Sequence, residues 1–421
     1  MIKRYHVQFD ETYDVIVAGS GPSGVAAAVM AGRMGAKTLL IEAQGSVGGI
    51  STSGMMSHFA GRIGCNLFDE LLIRAKEKNP YDTGVPNYVI DPELLRLTYY
   101  EMLSQANVQI LLYTLVIDTV MDGNRVAGIV TESKSGRKYF GATVLIDCTG
   151  DGDVAYHAGA TFTFGRETDG KCQPMTLMFK VGGVDFDRAV FPESFESTVE
   201  TPKGELQALA KKVLPSPAGH VLLYQSTLPG IVTCNMTNCI GVDGTKAEDL
   251  TKAELTCRSQ VQPIIRFLRE YVPGYEECFL IGVATLMGVR ETRHFHGVQT
   301  IDEQDIRTAK QFPDWVVRDA YFDFDVHNLT GASLDKTGEQ KQFTQKHGYT
   351  IPYGCLIPKT VDGLLLSGRN ISGTHMAHSN FRAMPICFGI GAAGGVAAAL
   401  AAKTNRLPRD LNAAEIQKLI K

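Results

Sequence analysis

Residues 13–42 restrict the fold more than any other stretch of the chain. "YDVIVAG" is a short β-branched run that reads as a buried strand. Gly19-Ser20-Gly21-Pro22-Ser23-Gly24 follows, then the helix-like "VAAAVMAGRMGA" and a second strand, "KTLLIE", which ends on Glu42. This strand–turn–helix–strand order, with an acid 18 positions after the last glycine, is that of a dinucleotide-binding unit. The first glycine permits the tight turn, the second lets a pyrophosphate approach the backbone, and the third lets the helix close on the strand. The helix N-terminus at Pro22 and Ser23 would hold the diphosphate through its free N–H groups. Glu42, with Ala43 beside it, would accept hydrogen bonds from both ribose hydroxyls, and its charge disfavours a 2′-phosphate.

The rest of the chain reads as an α/β protein. Residues 94–106 look helical, and "VQILLYTLVIDTV", "RVAGIVTES" and "KYFGATVLIDCTG" read as three strands joined at Asp122-Gly123-Asn124 and Ser135-Gly136. From 166 to 345 charges increase and helix-like stretches appear at 246–271 and 303–320. "VDGLLLSGRN" gives another short strand, and a small-residue helix over roughly 385–402 closes the fold. A second string, Gly389-Ile390-Gly391-Ala392-Ala393-Gly394, lacks the flanking strands and reads as helix packing, not a second nucleotide site. Residues 383–402 are uncharged and long enough to span a bilayer, but mostly Ala and Gly, so a buried helix is expected. Glycines occupy 29 of 241 positions in 1–165 plus 346–421 and only 14 of 180 between them. The expected organisation is therefore a discontinuous nucleotide-binding domain, 1–165 with 346–421, interrupted by an inserted domain, 166–345.

Several blocks, in order, resemble the bacterial FAD-dependent oxidoreductase family of the glutathione-reductase-like flavoprotein superfamily. After Glu42, "AQGSVGGISTSGMM" is similar to the family's Gly-Gly stretch, and "VLIDCTGDGDVA" to its Thr-Gly motif. "GVRETRHFHG", "PYGCLIPKTVDGLLLSGRNISGTH" and "FRAMPICFGIGAAGGVAAALA" resemble further blocks. The resemblance implies a Rossmann-like FAD-binding domain, a parallel sheet with a β-meander, and an inserted α+β substrate domain. It implies one FAD held by Gly48, Gly49, Ile50, Ser51, Val116, Thr149, Gly150, Gly368 and Arg369 besides the fingerprint residues. Met384, Pro385 and Ile386 would open a helix pointing its N-terminus at the flavin, where its partial positive charge stabilises the reduced ring. Many relatives carry Asp after the C-terminal strand glycine, whereas this chain has Gly368-Arg369-Asn370, so Arg369 could pair with the diphosphate instead. His58 follows the Gly-Gly stretch, but the flanking pattern of covalent attachment is absent, and non-covalent FAD is expected.

The candidates for chemistry lie in "SGRNISGTHMAHSNFRAM" and "GVRETRHFH". His375 or His378 suits a general acid or base near neutral pH. Arg382 suits a substrate carboxylate or a developing enolate. The alternative is that these residues cap the helix or hold the flavin phosphate. Arg290 and Arg293 either clamp an anion together or pair with Glu291 and neighbouring acids. His294 and His296 have no third ligand nearby in sequence, and no metal is expected.

These features point to an enzyme moving a hydride between flavin N5 and a small organic, arguably anionic, substrate, with an unidentified electron donor or acceptor. The competing reading is an electron-transfer flavoprotein subunit that serves a protein partner. A formal charge of -4 with no basic stripe argues against nucleic acid. Nine cysteines without a CxxC pair suit reduced thiols, and no signal-peptide core opens the chain, so a cytoplasmic protein without a membrane partner is expected. Oligomeric state is not legible.

Overall fold

The computed structural model describes residues 8–56, 58–192, 194, 197, 199–338 and 347–420. Strand β1 (Glu11–Ala18), helix α1 (Pro22–Arg33) and strand β2 (Thr38–Ile41) form the expected unit, with β1 and β2 parallel from Val15 opposite Thr38 to Ala18 opposite Ile41. Strand β3 (Gln109–Leu111) adds outside β2, and β4 (Leu115–Asp122), β5 (Arg125–Ser133) and β6 (Gly136–Asp147) form a meander. The sheet order is β3-β2-β1-β6-β5-β4. Strand β6 pairs parallel with β1 and changes its other neighbour along its length, within one seven-stranded sheet. Its first half pairs antiparallel with β5, Ser133 opposite Gly136. Its last half pairs parallel with the late strand Leu364–Leu366. Both strand ends, Asp147 and Leu366, thus lie beside the β1–α1 turn.

Two sequence expectations change. "VQILLYTLVIDTV" is not one strand but two, because Tyr113 turns the chain with φ 53° between β3 and β4. Residues 303–320 are not one helix. A capping box between Asp302 and Asp305 starts the short helix Glu303–Arg307, Ala309 then takes φ 49°, and the β-branched run after Pro313 forms the strand Trp315–Ala320. The expected helices at 94–106 and 246–271 are present as Pro92–Gln105 and Ala247–Tyr271.

The closing helix runs from Met384 to Thr404 and lies against α1. Its length and composition would suit a membrane span, but 94% of its most apolar window is buried inside the fold. Gly391 of the second glycine string, and Gly395 just after it, explain the packing. A Cβ at Gly391 would stand 2.0 Å from Ser23 O, and one at Gly395 would stand 2.2 Å from Ala27 O. Only hydrogen at these positions lets the two helices approach so closely.

A second layer is α+β. Its antiparallel sheet is ordered Leu223–Gln225, Val232–Cys234, Phe179–Gly182, Phe279–Val283, and it shares a separate core with the helix Ala247–Tyr271. The larger core joins both chain ends and also takes in Phe295, Ile301, Val317 and Phe324. The segments carrying Phe295 and Phe324 also supply polar groups described next.

Candidate functional site

The fingerprint turn separates its three glycines by what each faces. A Cβ at Gly19 would stand 2.4 Å from Cys148 O, and one at Gly24 would stand 1.9 Å from Gly19 O. Those two positions are closed by the protein's own backbone. A Cβ at Gly21 would meet nothing within 4 Å. Gly21 is also the N-cap of α1, which has Pro22 in its first turn, no side-chain cap and no acid in that turn. Open space therefore lies beside uncapped N–H groups, as an anionic phosphate requires.

Glu42 follows β2 with 9% exposure. Its Oε2 accepts from Ser20 N (2.8 Å) and Ser20 Oγ (2.6 Å), and its Oε1 from Gln44 N (2.8 Å). A carboxylate has about four acceptor sites, so the anchored group can still accept from ribose hydroxyls. Gly48 N donates to Ser20 O (2.8 Å), and Gly48 and Gly49 both have positive φ. A Cβ at Gly49 would lie 3.1 Å from the Gly21 Cα, so the Gly-Gly loop lies across the turn. Ile50 continues this loop, Ser51 closes it by donating to Gly48 O (2.7 Å), and Ala43 is exposed beside Glu42. Val116 sits in β4 opposite Thr131, two residues after Thr114, whose N donates to Glu42 O at 3.0 Å.

On the other side of the turn, Thr149 N and Oγ donate to Asp147 Oδ1, and Ala155 N donates to Asp147 Oδ2. Burial outweighs these donors and pushes the Asp147 carboxyl up to about 6. Gly150 (φ 86°) passes under the Arg369 guanidinium, and Gly368 (φ 94°) passes over Ser23. Arg369 donates to Asp151 Oδ1 at 2.7 Å, so its charge is already matched by a protein carboxylate. Asn370 staples the late strand instead. Its Oδ1 accepts from Ser367 N, and its Nδ2 donates to Asp147 O, both at 3.0 Å. Met384, Pro385 and Ile386 form the first turn of the closing helix, also uncapped by any side chain. The residues present fit a dinucleotide: an open Gly21, two uncapped helix starts and an anchored acid at the ribose position.

A group of histidines sits beside this cradle. Thr374 caps the short helix His375–Phe381, which presents His375 and His378 inward. Glu291 has a fully buried side chain. Its Oε1 is bonded to His375 Nδ1 (2.6 Å) and His294 Nε2 (2.8 Å), while its Oε2 accepts from Gln173 N (2.9 Å). Burial alone would raise this carboxyl, but the hydrogen bonds from His294 and His375 reverse that and hold it well below its ordinary range. His378 stands edge-on to His294, ring centroids 4.6 Å apart, and its Nδ1 is buried with no partner among the described residues. Burial depresses His378 well below an ordinary imidazole. Glu291, His294 and His378 offer ligand atoms within 4.8 Å of one another, although the glutamate oxygens are engaged in the bonds just given.

The arginines of "RETR" do not act as a pair. Arg293 donates to Asp151 O and Asp153 Oδ1 and covers the Tyr156 ring, whereas Arg290 donates to Pro174 O on a different segment. Neither pairs with Glu291, whose partners are histidines. His296 points away and bonds to Thr161 and Thr163. Arg382 Nη2 donates to Asp325 O (2.7 Å) and Oδ2 (2.9 Å), and Asp325 Oδ1 lies 3.2 Å from His327 Nε2. Gln173 links the two groups, since its Oε1 accepts from His327 N (3.2 Å) and Arg382 Nη2 (3.4 Å). His58 is stacked on Tyr224 and edge-on to Tyr88, and burial depresses it to about 4. All nine cysteines are free and buried, and burial pushes the Cys65 and Cys355 thiols up.

The profile of the family described as FAD dependent oxidoreductase matches residues 14–420. The chain belongs to this family. It is accordingly an FAD-dependent enzyme of the oxidoreductase class, and the cradle around Gly21 and Glu42 is where these residues suit that cofactor. A geranylgeranyl bacteriochlorophyll reductase-like protein from Thermoplasma acidophilum shares the fold, with TM-score 0.52, 15% identity, and coverage of 98% of this chain and 83% of that one. The tRNA uridine 5-carboxymethylaminomethyl modification enzyme MnmG of Geobacter metallireducens is 28% identical over 157 residues, 33% of this chain and 24% of that protein. Its counterpart in Geobacter sulfurreducens matches at 28% over 156 residues. The match thus spans about a quarter of the length of these curated relatives.

Glu291, Gln173, Asp325 and His327 were not singled out as functional from sequence. Glu291 lies inside "RETRH" but reads there as an arginine partner. Asp325 and His327 sit two apart in "DFDVH", a spacing that carries no recognised chemistry, and Gln173 has no local signal.

Proposed function

We propose that this oxidoreductase acts on a small organic anion, with FAD, when bound, supplying the two-electron step by exchanging a hydride at N5 with a substrate carbon. The reading includes glutathione-reductase-like placement, supported by the fingerprint, the Gly-Gly loop and the Thr-Gly loop around one turn. It also includes non-covalent FAD, supported by His58 lying between two tyrosines, and a substrate roofed by residues 166–345.

The observation that carries it is the pair of imidazoles on one buried carboxylate. An ionised Glu291 can only accept, so His375 presents Nδ1–H and His294 presents Nε2–H to Oε1. A neutral His375 then carries its lone pair on Nε2, the atom at which we assign the substrate proton. Glu291 orients the ring through Nδ1. His378 and Arg382 follow on the same helix and its C-cap, and Arg290 reaches the same region through Pro174.

An anaerobic screen of metabolites against the purified holoenzyme, following the visible flavin band, tests the reading. His375→Ala, His378→Ala and Arg382→Ala are expected to keep the flavin spectrum and slow its reduction or reoxidation. Normal turnover in all three would move the active site elsewhere. Bleaching by a small molecule with no protein partner would argue against an electron-transfer subunit.

A further inference from the structure

Arg290 is only half-buried, yet removal from water dominates its environment and lowers its guanidinium to about 10. Among the described residues no carboxylate lies within salt-bridge distance of Arg290, whose hydrogen bond goes to the neutral Pro174 carbonyl. Arg382 reaches the adjacent residue, Gln173, so the two guanidiniums converge on positions 173 and 174. Two donors at this point have no partner and are buried, Arg382 Nε and Gln173 Nε2. Unpaired buried donors are costly, and a group that only accepts would satisfy both.

We propose that Arg290, Arg382 and the Gln173 amide form a binding site for a single carboxylate of the substrate. The unpaired atoms at this point are all donors, and Arg290 has Arg382 and Asp325 as its nearest charged neighbours. The planar carboxylate also matches the forked donors of a guanidinium.

The inference rests on the proposed redox reading of the same site, and binding separates the two. Sodium acetate, sodium phosphate and acetamide are titrated into the holoenzyme at constant ionic strength, following the melting temperature and the flavin absorption band. Acetate is expected to bind saturably and raise the melting temperature, with phosphate weaker and acetamide weaker still. Arg290→Met should weaken acetate roughly ten- to hundredfold, the loss of one charge-assisted contact. Gln173→Met should weaken it several-fold, and Arg290→Lys, which keeps the charge, should retain part of the affinity and guards against a misfolded Arg290→Met. Acetamide binding as tightly as acetate, or unchanged acetate affinity in Arg290→Met, would overturn the site. Flavin reduction by an uncharged metabolite alone would sink the carboxylate site and the anionic substrate, and leave only the hydride transfer with a small molecule standing. Acetate binding as described, with no small molecule able to reduce or reoxidise the flavin, would do the reverse.

Discussion

Replacing Glu291 with glutamine isolates one charge at nearly constant shape. The carboxylate accepts three hydrogen bonds, from Gln173 N, His294 Nε2 and His375 Nδ1. Glutamine offers one acceptor oxygen and an amide that only donates. With the oxygen on the histidine side, the amide faces the Gln173 N–H, donor against donor. Turned round, the amide faces two imidazole N–H groups, and one ring must change tautomer. Either way about two buried polar groups are left unpaired, at about 1–3 kcal/mol each, which sets a loss of about 2–6 kcal/mol.

The pH dependence has a definite sign. The folded Glu291 carboxyl lies below its ordinary value of 4.5, so its stabilisation is complete above that pH and lost as the pH falls further. Urea unfolding of the holoenzyme should therefore show a constant Glu291→Gln deficit between pH 5.5 and 8, narrowing below pH 4.5. Anaerobic stopped-flow should show flavin reduction slowed by about 10²–10⁴, the usual worth of a positioned acid or base, with the visible spectrum retained. Glu291→Asp, which keeps the charge on a shorter arm, should fall between. If Glu291→Gln unfolds within about 0.5 kcal/mol of wild type and reduces its flavin at the wild-type rate, the carboxylate does not hold His375.

Other outcomes follow from the cradle. Glu42→Ala should lose FAD on desalting, with affinity falling about tenfold or more, since the ribose contacts and the anchor on Ser20 go together; a variant that stays as yellow as wild type removes Glu42 from the site. Gly391→Ala places a methyl against Ser23 O and Gly395→Ala places one against Ala27 O, each expected to cost about 1–3 kcal/mol. Gly391→Ala should also lower FAD occupancy, because Ser23 lies in the first turn of α1, and equal occupancy in both variants would disconnect that packing from the cofactor. Asp147 should behave opposite to Glu291. Its folded carboxyl, near 6 against an ordinary 3.8, makes wild type gain up to about 3 kcal/mol over Asp147→Asn as the pH falls from 6 to 4, and a flat difference would show that the three donors offset burial.

What could be read from the chain depended on how local the physics is. The β1–α1–β2 unit was legible because turn, helix start and terminal acid all fall within 30 consecutive residues, each with its own steric or electrostatic reason. The second glycine string was legible by contrast, since the same spacing without flanking strands leaves only packing, and Gly391 meets α1 while Gly389 and Gly394 face Ile63 and Ser367. Positions 303–320 misled because a helical spacing of apolar residues continues past Ala309, where one positive φ ends the helix. The chemistry was legible as residue types but not as partners.

The reason is topological, and it bears on how the site works. Glu291 reaches His375 across 84 positions and Gln173 across 118, so no window of sequence contains the group. The contacts also cross between chain regions. Glu291 and Gln173 belong to the middle of the chain, while His375 and Arg382 lie on the segment that runs directly into the closing helix. That helix is locked to α1 by glycines, and α1 opens at Gly21. The 286–292 segment is tied to the cradle, because Thr292 Oγ1 donates to the Asp151 carboxylate that also holds Arg369. The 171–174 segment reaches the group through Gln173, so substitutions there should change the rate of flavin reduction while leaving FAD affinity within about twofold of wild type. A matched loss of FAD affinity and rate in Gln173→Met would show instead that cradle and proton-carrying group are one mechanical unit.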